Sequence, residues 1–168
     1  MAKSQNKQGE DLIKKLLNSK NLLDRLDAVD MLLEKKDKKT LLELIRSESW
    51  HLRDKVKRAL CNFGKEILPE IRPLVDERFW YIRSSAIFIL GEIGEEEDFE
   101  KVKHFINSKN RTVRQEASIA TTKLIKRYPS LLEKLTQDDI TLLENNLKEF
   151  KAFDLLDVIL KVGERPEP

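Results

Sequence analysis

The sequence predicts an all-α array of stacked helical hairpins, and three observations carry that prediction. Gly and Pro number five each in 168 residues, too few for a loop-rich or all-β chain. Hydrophobic residues make up 40% and charged residues 37%, which suits a packed core under a heavily charged helical surface. A segment centred on one arginine recurs along the chain at about 30 residues, a period that marks stacked structural units.

The clearest copy is WYIRSSAIFILGEIG at 80–94, where Arg83 sits in a run that is otherwise apolar or small. Its partners are WHLRDKVKRALCNFG at 50–64, RTVRQEASIATTKLI at 111–125 and a looser LLDRLDAVDMLLEKK at 22–36. The arginines are Arg25, Arg53, Arg83 and Arg114, separated by 28, 30 and 31 residues. Three positions after each comes Ala28, Val56, Ala86 or Ala117, and six after comes Met31, Ala59, Ile89 or Ala120. Ten after comes Phe63, Ile93 or Leu124, while Lys35 breaks the column in the first copy. Steps of three, three and four keep one face of a helix.

Shorter segments lie between the copies, at 38–47, 66–76 and 97–108, with Leu41, Leu44 and Ile45, then Ile67, Ile71, Leu74 and Val75, then Phe99, Val102 and Ile106 at helical spacing. Each unit thus reads as a shorter helix, a tight turn and a longer helix. Gly64 and Gly94 end two of the long helices in the manner of C′ glycines. Pro69 suits the first turn of its helix, and Pro73 predicts a kink or a short helix. The rest of the chain continues in helices: PSLLEKL, then QDDITLLENNLKEF with Ile140, Leu143 and Leu147 on one face, then AFDLLDVILKVG ending at Gly163. This part lacks the arginine column and reads as a divergent unit plus a capping helix that covers the end of the core. The polar start, residues 1–9, and the tail, 164–168, are expected to be disordered.

The pattern V/I-R-x-x-A-x-x-A/I-L-x-x-I-G resembles the second helix of a HEAT repeat, most closely at IRSSAIFILGEIG, 82–94, in the family's short bacterial and archaeal form. The resemblance covers about residues 10–127. It implies one domain over 10–163, a right-handed α-solenoid of about four HEAT-like hairpins closed by a helical cap at 129–163. The family includes scaffolds, enzyme-associated lyases and nucleic-acid binders, so the resemblance itself does not choose among these.

The arginine column is expected to be a structural ladder. An arginine near the start of a helix buries its stem and keeps its guanidinium at the edge, where carbonyls or carboxylates of the adjacent unit, such as Asp76, Glu77 or Glu48, can meet it. The alternative is a row of cations aimed at a phosphate backbone. Lys+Arg total 32 and Asp+Glu 30, a net charge of +2, and this near balance argues against a nucleic-acid partner.

Trp50 and Trp80 are the only tryptophans, and both stand three residues before a repeat arginine. Steps of four lead from Trp80 through Ser84 to Phe88, whose counterpart in the fourth copy is Ile119. The expected binding face is a partly exposed stripe of Trp50, Trp80, Phe88 and Ile119 on the concave side, with Arg58 on its rim; the alternative is that these side chains are ordinary core. Large aromatics on such a face make good anchors.

Signs of catalysis are sparse in the sequence. His51 and His104 are far apart and belong to no H-E or H-x-x-x-H motif, and no Gly-rich phosphate loop occurs. Cys61 is the only cysteine, so it forms no internal disulfide and suggests a reducing compartment. No cofactor or metal is expected. Without a signal-like or membrane-spanning stretch, the chain reads as cytoplasmic, a monomer or weak dimer that binds another protein or peptide without catalysis. The second reading is a nucleic-acid binder resembling the HEAT-like alkylpurine DNA glycosylases, using the basic helices at RDKVKR (53–58) and KLIKR (123–127).

Overall fold

The computed structural model describes residues 2–163. All regular structure among them is helical. By its packing the chain divides into two compact units, Met1–Ile67 and Leu68–Pro168. The break falls inside the segment expected to be the short helix at 66–76.

In the first unit, α1 (Ala2–Leu17) and α2 (Leu22–Glu34) form one hairpin, and α3 (Lys38–Leu44) and α4 (Trp50–Cys61) form the next. A 3-10 turn, Gly64–Ile67, follows. The helix α2 packs against α1, α3 and α4. Ala28, Val29 and Leu32 of α2 and Val56 and Leu60 of α4 are buried with Leu41 and Ile45, so the position three after the arginine is core in both copies. On the surface, Lys55 of α4 pairs with Asp30 of α2 at 2.6 Å. Residues 2–9, expected to be frayed, extend α1. Lys35 Nζ donates to Asn6 Oδ1 at 3.3 Å, and it crosses α1 at Gly9, where a Cβ would lie 2.8 Å from Nζ. The expected disorder of 164–168 lies outside the described residues.

Helix α2 ends on a left-handed residue, Lys36, with φ of 55°. The N–H groups of Lys36 and Asp37 donate to the carbonyls of Leu33 and Leu32 at 3.0 Å each, a Schellman closure. Gly64 holds the same repeat position after α4 with φ of 62°, a conformation that costs glycine nothing.

The second unit begins with α5 (Leu68–Ile71), which gives way to a 3-10 turn at Arg72–Asp76. Pro73 has no N–H to continue an α-helical ladder, so the expected single helix is short. Then come α6 (Trp80–Ile93), α7 (Phe99–Lys103) behind a 3-10 turn at Glu96–Asp98, and α8 (Arg111–Arg127). A 3-10 turn at Pro129–Lys134 leads to α9 (Gln137–Glu149) and α10 (Phe153–Gly163).

Helices α6 and α8 form the main packing seam of this unit. Gly91 lies so close to Ala120 that a Cβ there would sit 2.7 Å from the alanine Cβ and 2.8 Å from its Cα. Glu92 pairs with Lys123 one step further on. Both contacts join residues about 30 apart, so α6 and α8 run parallel and their first turns lie side by side. At the other end, Arg127 donates to the carbonyls of Gly91 and Gly94 at 3.0 Å and of Glu92 at 3.1 Å. One guanidinium thereby satisfies acceptors that the end of α6 leaves open and complements its dipole. Gly94 is extended, with φ of −63°, rather than left-handed; it is glycine because a Cβ would meet the Leu90 carbonyl oxygen at 2.2 Å.

Polar keys fix the shorter elements. Arg72 Nε donates to the buried Asp98 at 2.7 Å, and Nη2 reaches Glu95 at 3.0 Å and Glu97 at 2.6 Å. The bond to Asp98, helped by Glu95 and Glu97, raises the Arg72 pKa further above its ordinary range. Asp98 also accepts the Glu95 N–H at 2.8 Å and closes a capping box. In the cap region, the buried amide of Asn146 donates to the Ile106 carbonyl at 2.7 Å and to Ser118 Oγ at 2.9 Å. It locks α9 onto α8 and the turn after α7.

Candidate interaction surface

The four repeat arginines stand in the first turn of α2, α4, α6 and α8, and two of them, Arg53 and Arg114, reach back to the turn before their own helix. Arg53 is 6% exposed and donates to the Ser47 carbonyl at 2.7 Å. Arg114 donates to the Ser108 carbonyl at 3.0 Å. Each acceptor lies six residues earlier, within the same hairpin. These two carbonyl acceptors belong to the arginine's own hairpin, whereas the sequence suggested carbonyls or carboxylates of the adjacent unit. Arg114 also reaches a carboxylate of the following element, Glu149 of α9, at 3.3 Å. Arg83 lays its guanidinium over the Phe105 ring at 5.6 Å. The Nε atoms of Arg25 and Arg83 are buried without a hydrogen-bond partner. Arg25, Arg83 and Arg114 are half-buried.

The turns themselves repeat, outside the helical columns. Six and four residues before the arginine stand Ser19 and Asn21, Ser47 and Ser49, and Ser108 and Asn110. Each serine Oγ accepts the N–H two residues on, at 3.1, 3.1 and 3.3 Å. The second residue then caps the helix, accepting from Leu23, Leu52 and Val113 at 3.0, 3.4 and 3.0 Å. The third turn departs from this rule. Glu77 and Phe79 occupy the two places, and α6 starts with no side-chain cap. The signal is legible as S-x-N/S before the first, second and fourth copies and as E-R-F before the third.

The expected binding residues are shared between the two units. Trp50 and Arg58 belong to the first unit, and Trp80, Phe88 and Ile119 to the second. Trp50 opens α4, is 61% exposed and meets His51 edge to face at 4.7 Å. Arg58, exposed, pairs with Asp54 four residues earlier at 3.1 Å. Burial raises the Asp54 pKa, and hydrogen bonds from Arg58 and Lys57 overcome it, so that carboxyl titrates below its usual value. Trp80 opens α6 and is 41% exposed. Phe88 and Ile119 are half-buried. Ser84, one step of four from both Trp80 and Phe88, is buried. On α6 itself, exposure is greatest at the first residue, Trp80, while Ser84 between Trp80 and Phe88 is buried and Phe88 is partly covered.

An aromatic cluster stands at the start of α6. Phe79 is 50% exposed. It stacks on Tyr81 with ring centres 5.4 Å apart, and Trp80 meets Tyr81 edge-on at 5.8 Å. Among the described residues, no group of three or more His, Cys, Asp or Glu side chains is placed to hold a metal ion. No helix among them is long and apolar enough to cross a membrane.

Parallel long helices, paired with shorter ones and joined by turns of one repeating design, define an all-α helical-repeat protein of the α-solenoid class. The model of HEAT repeats matches residues 38–123, half of the chain. The chain belongs to the HEAT-repeat family. No individual curated protein matches it.

Proposed function

We propose that this HEAT-repeat chain is a non-catalytic module that binds another protein, and that the exposed aromatics opening α4 and α6 take part in that contact. HEAT repeats generally mediate protein–protein interaction. The observation that carries the reading is the exposure of Phe79 and Trp80, large apolar side chains presented together where the rest of α6 is buried or half-buried. Exposed aromatics of this kind supply buried anchor area once a partner covers them. Trp50, at the corresponding position of its own helix, gives the first unit a separate exposed aromatic.

The test is affinity capture from extract of the source organism with wild type, Trp50→Ser and Trp80→Ser, each with and without nuclease. A specific protein held by wild type and reduced at least about tenfold by Trp80→Ser is expected, with the helical circular dichroism signal unchanged. Capture that disappears on nuclease treatment, or that ignores both substitutions, contradicts the reading.

A further inference from the structure

The third hairpin turn gives up a stabilising feature that the other three keep. Glu77, Arg78 and Phe79 stand where Ser-x-Asn or Ser-x-Ser stands elsewhere, and α6 has no side-chain cap. A phenylalanine at that place forgoes about 1 kcal/mol that serine or asparagine supplies. Burial does not recover the loss, because Phe79 and its neighbour Trp80 are both exposed. A turn that trades its cap for an exposed aromatic points to contact with something outside the chain.

The charges around this cluster identify the chemistry of that contact. The parallel register of α6 and α8, fixed by Gly91 against Ala120 and Glu92 with Lys123, sets the first turn of α8 beside the first turn of α6. Arg78 and Lys109 are exposed there, and neither makes an ion pair among the described residues. Arg111 is 65% exposed at the same edge. Acids in these turns and against these cations include Asp76, which pairs with Lys101 at 3.1 Å, Glu77, half-buried, and Glu149, which Arg111 and Arg114 already engage at 3.4 and 3.3 Å. Positive charge is therefore in excess around an exposed aromatic pair, although the whole chain is nearly balanced.

We infer that this edge, where α6 and α8 begin, takes an acidic peptide segment of the partner that also carries an apolar side chain. The inference rests on the protein-binding reading above and adds the class of ligand. The apolar side chain covers Phe79 and Trp80, and the carboxylates face Arg78, Lys109 and Arg111. A nucleic acid fits less well. Its phosphates repeat along a line and call for an unbroken basic track, whereas here Glu77 and Glu149 interrupt the cations.

The experiment is selection of a random peptide library displayed on phage against the full-length chain, followed by titration of the enriched peptides. Three proteins are compared: wild type, Phe79→Ser/Trp80→Ser and Arg78→Glu/Lys109→Glu. The expected result is enriched peptides with more Asp and Glu than Lys and Arg around an apolar residue. Their affinity should fall at least about fivefold in the charge-reversed protein at low ionic strength and be lost in the aromatic double variant. Peptides that need Phe79 and Trp80 but show no acidic bias and no response to charge reversal overturn the inference and leave the protein-binding reading standing. Peptides indifferent to both variants, or no enrichment over the aromatic double variant, overturn both. A labelled oligothymidylate that binds wild type and displaces the peptides overturns the inference in favour of nucleic acid.

Discussion

At the scale of single residues, Phe79 concentrates the tension between folding and contact. Its backbone, φ −81° and ψ 121°, already has the extended geometry of a helix cap, so a serine there could accept an N–H from the first turn without moving the chain. Phe79→Ser is expected to raise stability by about 1 kcal/mol, measured as a higher urea midpoint with an unchanged slope, while weakening partner capture. Lower stability would mean that Phe79 packs as core. The sequence displayed both halves of this observation. The tryptophans stood out because they share a column, but Phe79 did not, because its neighbours in the column are Asn21, Ser49 and Asn110. Only the three-dimensional role of those polar residues makes a phenylalanine among them anomalous. The arginine column was equally visible, yet its partners were not: a guanidinium reaching back six residues to a carbonyl leaves no trace in side-chain identity.

At the scale of elements, the helical periods placed α2, α4, α6 and α8 within a residue or so of their observed starts, since the position three after each arginine is buried in all four long helices. Exposure was harder to read. Steps of four predict which residues share a face, but they do not say whether that face is covered, and on α6 almost every face is. The seam between α6 and α8 shows why. Gly91 has no room for a Cβ, and the obstruction includes the Ala120 Cα, which a rotamer change cannot move. Gly91→Ala gains helix propensity of about 1 kcal/mol but forces the two backbones apart, a cost of about 1–3 kcal/mol. A net loss of roughly 1 kcal/mol is expected, read as a lower thermal midpoint. An increase would show that the seam is looser than its geometry implies.

Across the whole molecule, electrostatics set the pH response. Asp54 and Asp139 both have carboxyl pKa values below the ordinary range. Burial opposes their ionisation, and donors outweigh it: Arg58 and Lys57 for Asp54, the Thr136 N–H and hydroxyl with Lys103 for Asp139. A group whose folded pKa is depressed adds stability above its unfolded pKa, and loses it as the pH falls through the folded value. Stability is thus expected to hold near neutrality and to decline below about pH 4. Urea unfolding across that range checks this. Asp139→Asn, which keeps an acceptor for the Thr136 N–H but removes the charge, should be less stable at neutral pH and decline less in acid. The division into two units was not legible beforehand, because the repeat columns run through residue 67 without interruption and mark similarity rather than packing.

The most direct measurement places a photoreactive benzoylphenylalanine at position 80, irradiates the protein in cells of its source organism, and compares the adducts with those from the same residue at Glu133, an exposed site elsewhere in the second unit. A discrete protein adduct from position 80 that is absent from position 133 is predicted. No adduct at position 80, an adduct common to both positions, or one that nuclease removes would contradict the assignment of this edge to a protein partner.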